Sequence, residues 1–272
     1  MSRALKVKQS AMVASLVALG VWMTALAAAA EPPASPSAPA AVSPGAAAIE
    51  KAAKDNKYLF IFFFEGQDEH TGAMNGVFQT AMAKMTDRAD SVAIYVADPA
   101  EKPIVDKFSV RGSPMPLVLA IAPTGAPTRA FPKRFDEAQL QKAFVSPCTA
   151  KCMRAMMDRH TVLLCVQNGK TQFNEEAMQG VEAFKADPQY AQVTEVVTLN
   201  PADKAEQSFL KALEVDPQTT TAVTLLVTPP GAPVASFAGA VTKDQIAAKL
   251  AAAQSGCCPG GKCGPGGCCP KR

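Results

Sequence analysis

The chain has 272 residues, 48% of them hydrophobic and 19% charged, enough apolar material for one large or two ordinary globular cores. Its formal charge of +3 is carried entirely by Arg3, Lys6 and Lys8, so the rest of the chain is balanced. A nucleic-acid-binding surface, which needs a basic face, is thereby excluded as an expectation.

Taken in order, residues 1–30 read as a signal peptide. The three basic residues precede the apolar run Ala11–Leu26, and the small residues Ala27–Ala30 offer a cleavage zone before Glu31-Pro32-Pro33. The competing reading is an uncleaved anchor, since about 20 uncharged residues can span a bilayer. With cleavage, no membrane association is expected of the mature chain. The expected destination is the periplasm, or secretion beyond it. Residues 31–42 form a Pro/Ala/Ser linker.

From residue 43 the sequence repeats with an offset of a little over one hundred. Ser43-Pro44 matches Ser146-Pro147, each opening a helix. Tyr58–Gly66 matches Thr161–Gly169, a buried strand ending in glycine. Val92–Lys102 matches Thr194–Lys204, Ala122–Phe131 matches Thr228–Phe237, and Asp136–Leu140 matches Thr242–Ile246. Continuous apolar runs such as Leu59–Phe64 and Leu117–Ile121 suit central strands buried on both faces. Asp98-Pro99 and Asn200-Pro201 have the cap-then-proline pattern of helix starts, with Pro103 pushing the first of these a turn later. Asp136 to Gln139 and Thr242 to Gln245 have capping-box spacing, and Gly256 is placed to end the last helix. Each copy therefore predicts helix, strand, helix, strand, helix, strand, hairpin, strand, helix: an α/β domain with a mixed central sheet covered by helices on both faces. Residues 43–145 and 146–255 are the two domains, and 256–272 a Cys/Gly/Pro-rich tail.

The first copy resembles the thioredoxin-like superfamily. Ile61–Thr71 aligns with the strand and helix start that carry the family's W-C-G-P-C redox pair. Lys107-Phe-Ser-Val-Arg-Gly-Ser-Pro114 is similar to the family's K-Y-x-I-R-G-x-P, whose proline is cis. Pro114 and Pro116 are both candidates for that proline. The resemblance places Asp68 and Thr71 where the two cysteines belong, and in the second copy Asn168-Gly-Lys-Thr171 occupies the loop, with Thr220 and Ala222 in place of the prolines. Thiol–disulfide exchange needs an attacking thiolate and a resolving thiol, so no catalytic pair is expected at the usual site of either copy. Asp68, Glu69 and His70 remain a candidate ligand loop, against the plainer reading of a solvated loop with a helix cap.

All eight cysteines lie beyond residue 147. Cys165, inside a strand run, reads as a buried apolar residue. Cys148, Cys152, Met156 and His160 recur every four residues and present soft donors suited to copper or zinc, with Cys148 in a first turn that favours a thiolate. The competing reading packs Cys152 and Met156 into the core and puts His160 past the helix end. A Cys148–Cys152 disulfide would strain a regular helix, where Cβ atoms four apart are about 5–6 Å away rather than about 3.8 Å. In the tail, Cys257, Cys258, Cys263, Cys268 and Cys269 offer metal capture or disulfides. Met74, Phe78, Met82 and Met85 have the spacing of a packed helix face.

These features predict an exported, non-catalytic thioredoxin-like binding or scaffold protein. Its partner would be another protein or a soft metal ion, copper or zinc, held by cysteines; no cofactor is certain. Two alternatives stay open: an atypical thiol–disulfide oxidoreductase using Cys148 and Cys152 or tail cysteines, and a protein-interaction module with structural disulfides.

Overall fold

The computed structural model describes residues 43–255. The proposed signal peptide, the linker, and the tail with its five cysteines lie outside the described residues, as does Gly256.

The first half runs α1 (Pro44–Lys54), β1 (Tyr58–Phe64), α2 (Glu69–Ala83), β2 (Ala89–Tyr95), a 3-10 turn (Pro99–Glu101) leading into α3 (Lys102–Lys107), β3 (Leu117–Ile121), β4 (Pro127–Pro132) and α4 (Glu137–Gln141). The second half repeats it: α5 (Pro147–Met157), β5 (Thr161–Val166), α6 (Asn174–Ala186), β6 (Thr194–Leu199), a 3-10 turn (Lys204–Glu206) leading into α7 (Gln207–Ala212), β7 (Val223–Thr228), β8 (Ala232–Ala238) and α8 (Lys243–Ser255). Ser43 and Ser146 cap α1 and α5 and are followed by proline at the first helical position. Both capping boxes form: Asp136 with Gln139, and Thr242 with Gln245.

The strand order is β2-β1-β3-β4 in one sheet and β6-β5-β7-β8 in the other. In each, the first two strands in sequence pair in parallel and the remaining pairs are antiparallel. Even the irregularity repeats: the last hairpin shifts register between Ala120 and Ile121 in one sheet and between Leu226 and Val227 in the other.

Because β1 is central and covered on both faces, alternate residues serve different cores. Phe60 and Phe62 face Phe78, Met82 and Leu140 of α2 and α4, whereas Leu59, Ile61 and Phe63 face Ile94, Ile104 and Val105. Phe78, Met82 and Met85 are buried and Met74 packs beside them, as the helical spacing predicts. In the second domain Val162, Leu164 and Val166 form one core, and Leu163 and Cys165 another with Val181, Phe184 and Ile246. Helix α6 meets the segment leading into α8 at Gly180, where a Cβ would lie 1.9 Å from the carbonyl oxygen of Val241, a contact only glycine permits. The hairpin of the first domain leans on α5 through a hydrogen bond from Thr124 Oγ1 to Ala150 O (3.2 Å).

One expectation is corrected. Asn200-Pro201 does not start a helix: Asn200 Oδ1 accepts from Ala202 N (3.0 Å) in a turn, and the cap is Asp203, whose side chain accepts from Ala205 N (2.9 Å). The counterpart of Asp98-Pro-Ala-Glu101 is therefore Asp203-Lys-Ala-Glu206, three residues beyond the match read from sequence.

Candidate functional site

In the first domain β1 delivers the chain into the loop Glu65–Asp68 at the N-terminus of α2. Asp68 is the cap of that helix: its Oδ1 accepts from Thr71 N at 2.6 Å. That backbone bond first, and the Thr71 hydroxyl second, hold the Asp68 carboxyl below its ordinary range. Thr71 itself is buried. The two residues that stand in place of a cysteine pair thus serve each other as cap and capped.

His70 turns the other way. Its Nε2 is 2.9 Å from Lys133 O, and Lys133 N donates to Pro116 O at 2.8 Å, so the start of α2 is tied to the end of β4 and to the residue preceding β3. Asp68, Glu69 and His70 do not converge. Among the described residues no three His, Cys, Asp or Glu side chains gather as a metal site. The cis bond is Met115–Pro116; Pro114, the other candidate, is not cis, and a second cis bond joins Pro229 and Pro230 in the β7–β8 hairpin.

Beside the loop lies a recess of about 480 Å³. Its floor is Phe62 and Phe64 with Ala93 of the edge strand β2, and its wall is the first two turns of α2, Thr71 to Asn75. Asn75 Oδ1 is buried there without a hydrogen-bond partner. Tyr95, 45% exposed, continues the apolar floor past Phe64, ring centroids 5.6 Å apart. The recess exists because β2 presents the small Ala93 on the face where a larger side chain would close the gap to α2.

In the second domain the loop after β5 is instead paired with the segment that precedes β7. Gln172 N donates to Thr220 O, and Ala222 N donates to Gln172 O, both at 2.9 Å. Thr171 Oγ1 binds Asn168 O (2.8 Å) and Asn174 Oδ1 (2.7 Å), closing the loop on itself.

The strand order, repeated in both sheets, decides the architecture. The fold is thioredoxin-like, and it occurs twice. No protein family matches the chain as a whole or in part, and no curated protein matches it in sequence. Among solved structures, human ERp44 is 10% identical over 78% of this chain and 56% of its own, with a TM-score of 0.32. The first two thioredoxin domains of Saccharomyces cerevisiae Eps1p are 8% identical over 75% of this chain and 92% of theirs, with a TM-score of 0.29. The germline-specific thioredoxin Deadhead of Drosophila melanogaster is 19% identical over 34% of this chain and 82% of its own, with a TM-score of 0.28. This chain spans little more than half the length of ERp44. The fold assignment rests on the strand order.

The cysteine stripe of α5 loses its last member in space. Cys152 is buried, and Cys148 and Met156 pack against the same core. His160 lies past the helix, which ends at Met157 with Arg159 at φ 61°, and it lines a shallow recess with Arg154, Asp158 and Glu195. His160 therefore does not join the two cysteines, whereas Met156 stays beside them as a residue packed against that core. Cys148, Cys152 and Cys165 are free thiols. The expected first-turn thiolate at Cys148 is also corrected. Burial first, then the Glu206 carboxylate, push its thiol up to about 11, and burial followed by the charge of Cys148 pushes Cys152 up to about 12. Residues that sequence reasoning passed over are Glu101 and Glu206, 3% and 2% exposed, each reaching back to the first turn of its domain's first helix. The signal was present as the repeated tetrad Asp-x-Ala-Glu at 98–101 and 203–206.

Proposed function

We propose that the protein is an exported, non-catalytic thioredoxin-like binding or scaffold protein. The observation that carries this reading is the Asp68–Thr71 cap at the start of α2: the place where a redox pair would react is taken by a carboxylate and a hydroxyl that can neither attack a disulfide nor resolve one. What the first domain offers instead is the recess beside that cap. Its Phe62–Phe64–Ala93 floor and the unpartnered Asn75 Oδ1 suit an apolar group bearing an N–H or O–H donor, such as a side chain of a polypeptide partner. The second domain, whose loop pairs with its own 220–222 segment, acts in this reading as scaffold.

The rival, an oxidoreductase working through Cys148 and Cys152, is disfavoured by thiols held up at about 11 and about 12, which leave little thiolate at neutral pH. The expectation that the tail cysteines capture copper or zinc, or form disulfides, belongs to the same proposal and is read from native mass spectra of the exported protein, which report signal cleavage, disulfides and retained metal together. Reduction of insulin by dithiothreitol tests the non-catalytic reading. The rate is expected to equal the protein-free background. A faster rate that Cys148→Ser abolishes would establish the oxidoreductase.

A further inference from the structure

The first helices of the two domains are anchored alike except at one carboxylate oxygen. In the first domain Glu101 Oε1 accepts from Gly45 N (2.8 Å) and Oε2 accepts from Ser43 Oγ (3.0 Å). In the second, Glu206 Oε1 accepts from Cys148 N (3.0 Å), but the Ser146 hydroxyl is engaged with Thr149 (2.8 Å to Oγ1), and Glu206 Oε2 is buried with no partner. The cause lies in one substitution within the repeat. A Cβ on Gly45 would stand 2.5 Å from Glu101 Oε2, so glycine lets the carboxylate close on its serine. At the same place the second domain has Cys148, a side chain in the space that glycine leaves to the carboxylate in the first domain, and its thiol lies near enough to Glu206 for the two to interact. The thiol is half-buried, and its Sγ donates to the carbonyl oxygen of Thr198 on β6 at 3.4 Å.

The geometry points to a cation site made of Cys148 Sγ, Glu206 Oε2 and Thr198 O, suited to a borderline-soft divalent ion such as Zn²⁺. With Zn–S of about 2.3 Å and Zn–O of about 2.1 Å, the 3.4 Å between Sγ and the Thr198 oxygen subtends about 100° at the ion, close to a tetrahedral angle. A thiolate and a carboxylate together neutralise the dication, and a water completes four ligands. Binding replaces the S–H bond by an S–Zn bond and releases one proton to solvent. The site fills the hydrogen-bonding deficit of a buried carboxylate, which nothing else among the described residues does. It takes up the expectation of cysteine-bound metal with a different ligand set, without Met156 or His160, and is independent of the first-domain recess.

The test uses the full chain with Cys257, Cys258, Cys263, Cys268 and Cys269 changed to Ser, titrated with Co²⁺ as a spectroscopic probe and then with Zn²⁺. One equivalent of Co²⁺ is expected to give a thiolate-to-cobalt charge-transfer band that Zn²⁺ abolishes. Cys148→Gly, which installs the residue of the first domain, and Glu206→Gln should each weaken binding about tenfold or more, by the scale set for groups supporting a metal site. Cys152→Ser should leave the band in place. Melting followed by far-ultraviolet circular dichroism confirms that each metal-free variant is folded; if Glu206→Gln is not, Cys148→Gly decides. Absence of the band, its survival in folded Glu206→Gln or Cys148→Gly, or its loss in Cys152→Ser would overturn the assignment.

Discussion

Replacing Glu101 by Ala should cost more than replacing Glu206 by Ala, although both carboxylates are almost wholly buried at equivalent places. Glu101→Ala removes two hydrogen bonds to a charged acceptor, from Gly45 N and Ser43 Oγ, and strands both donors at the start of α1. At about 1.5–3 kcal/mol for each such bond, less what is regained by no longer burying a carboxylate, the expected loss is about 3–5 kcal/mol. Glu206→Ala removes one bond and one unpartnered oxygen, so about 1–3 kcal/mol is expected in metal-free protein. Urea unfolding followed by circular dichroism gives the totals. Two domains need not melt together, so amide exchange of α1 and α5 assigns each loss to its own helix. A Glu101→Ala variant within about 1 kcal/mol of the parent, or equal losses for the two variants, would refute the claim that these carboxylates anchor the helices by counted hydrogen bonds.

Two further outcomes follow from the same packing and charge arguments. Gly180→Ala drives a methyl into the Val241 carbonyl and should destabilise the second domain by about 1–3 kcal/mol or more, whereas Gly76→Ala on the open side of α2 should be neutral or stabilise by up to about 1 kcal/mol; thermal melts of the pair check this. Asp90 is held below its ordinary range chiefly by Lys51, Asp106 by Lys102 and Asp187 by Lys243. Their folded values lie under the unfolded value of about 3.9, so the stability they contribute is complete above it and is lost as pH falls through the folded values. Melting temperature should therefore be flat from pH 7 to about 5 and drop below about 4, and Asp90→Asn should flatten part of that drop.

The architecture was legible in the sequence where side-chain burial has only one solution. Leu59–Phe64 has no polar alternation, which only a strand covered on both faces tolerates, and the 103-residue step from Pro44 to Pro147 repeats a cap that both helices use. Connections were less legible. Asn200-Pro201 mimics a helix start, but the chain prefers the cap three residues later because only that register buries Glu206 against the α5 N-terminus. The stripe Cys148, Cys152, Met156, His160 fits a helical wheel, yet the helix ends at Met157 and carries His160 off the line. The loop at Asp68 was readable as a cap because its spacing is local; the partner of His70, Lys133, lies 63 residues away and leaves no local signal. Glu101 and Glu206 escaped notice for a similar reason: a glutamate on a short charged turn reads as solvated until its 58-residue contact is seen.

The central claim is that the loop between β1 and α2 is a thioredoxin-like site from which redox chemistry is missing for want of two thiols. Restoring them with Asp68→Cys and Thr71→Cys in a chain whose tail cysteines are changed to Ser tests it most directly, by insulin reduction and by thiol counting. The parent should stay at background and the double variant should form a 68–71 disulfide and reduce insulin, its first thiol activated at the helix N-terminus. Insulin reduction by the parent, or a double variant whose two thiols never pair, would contradict the account.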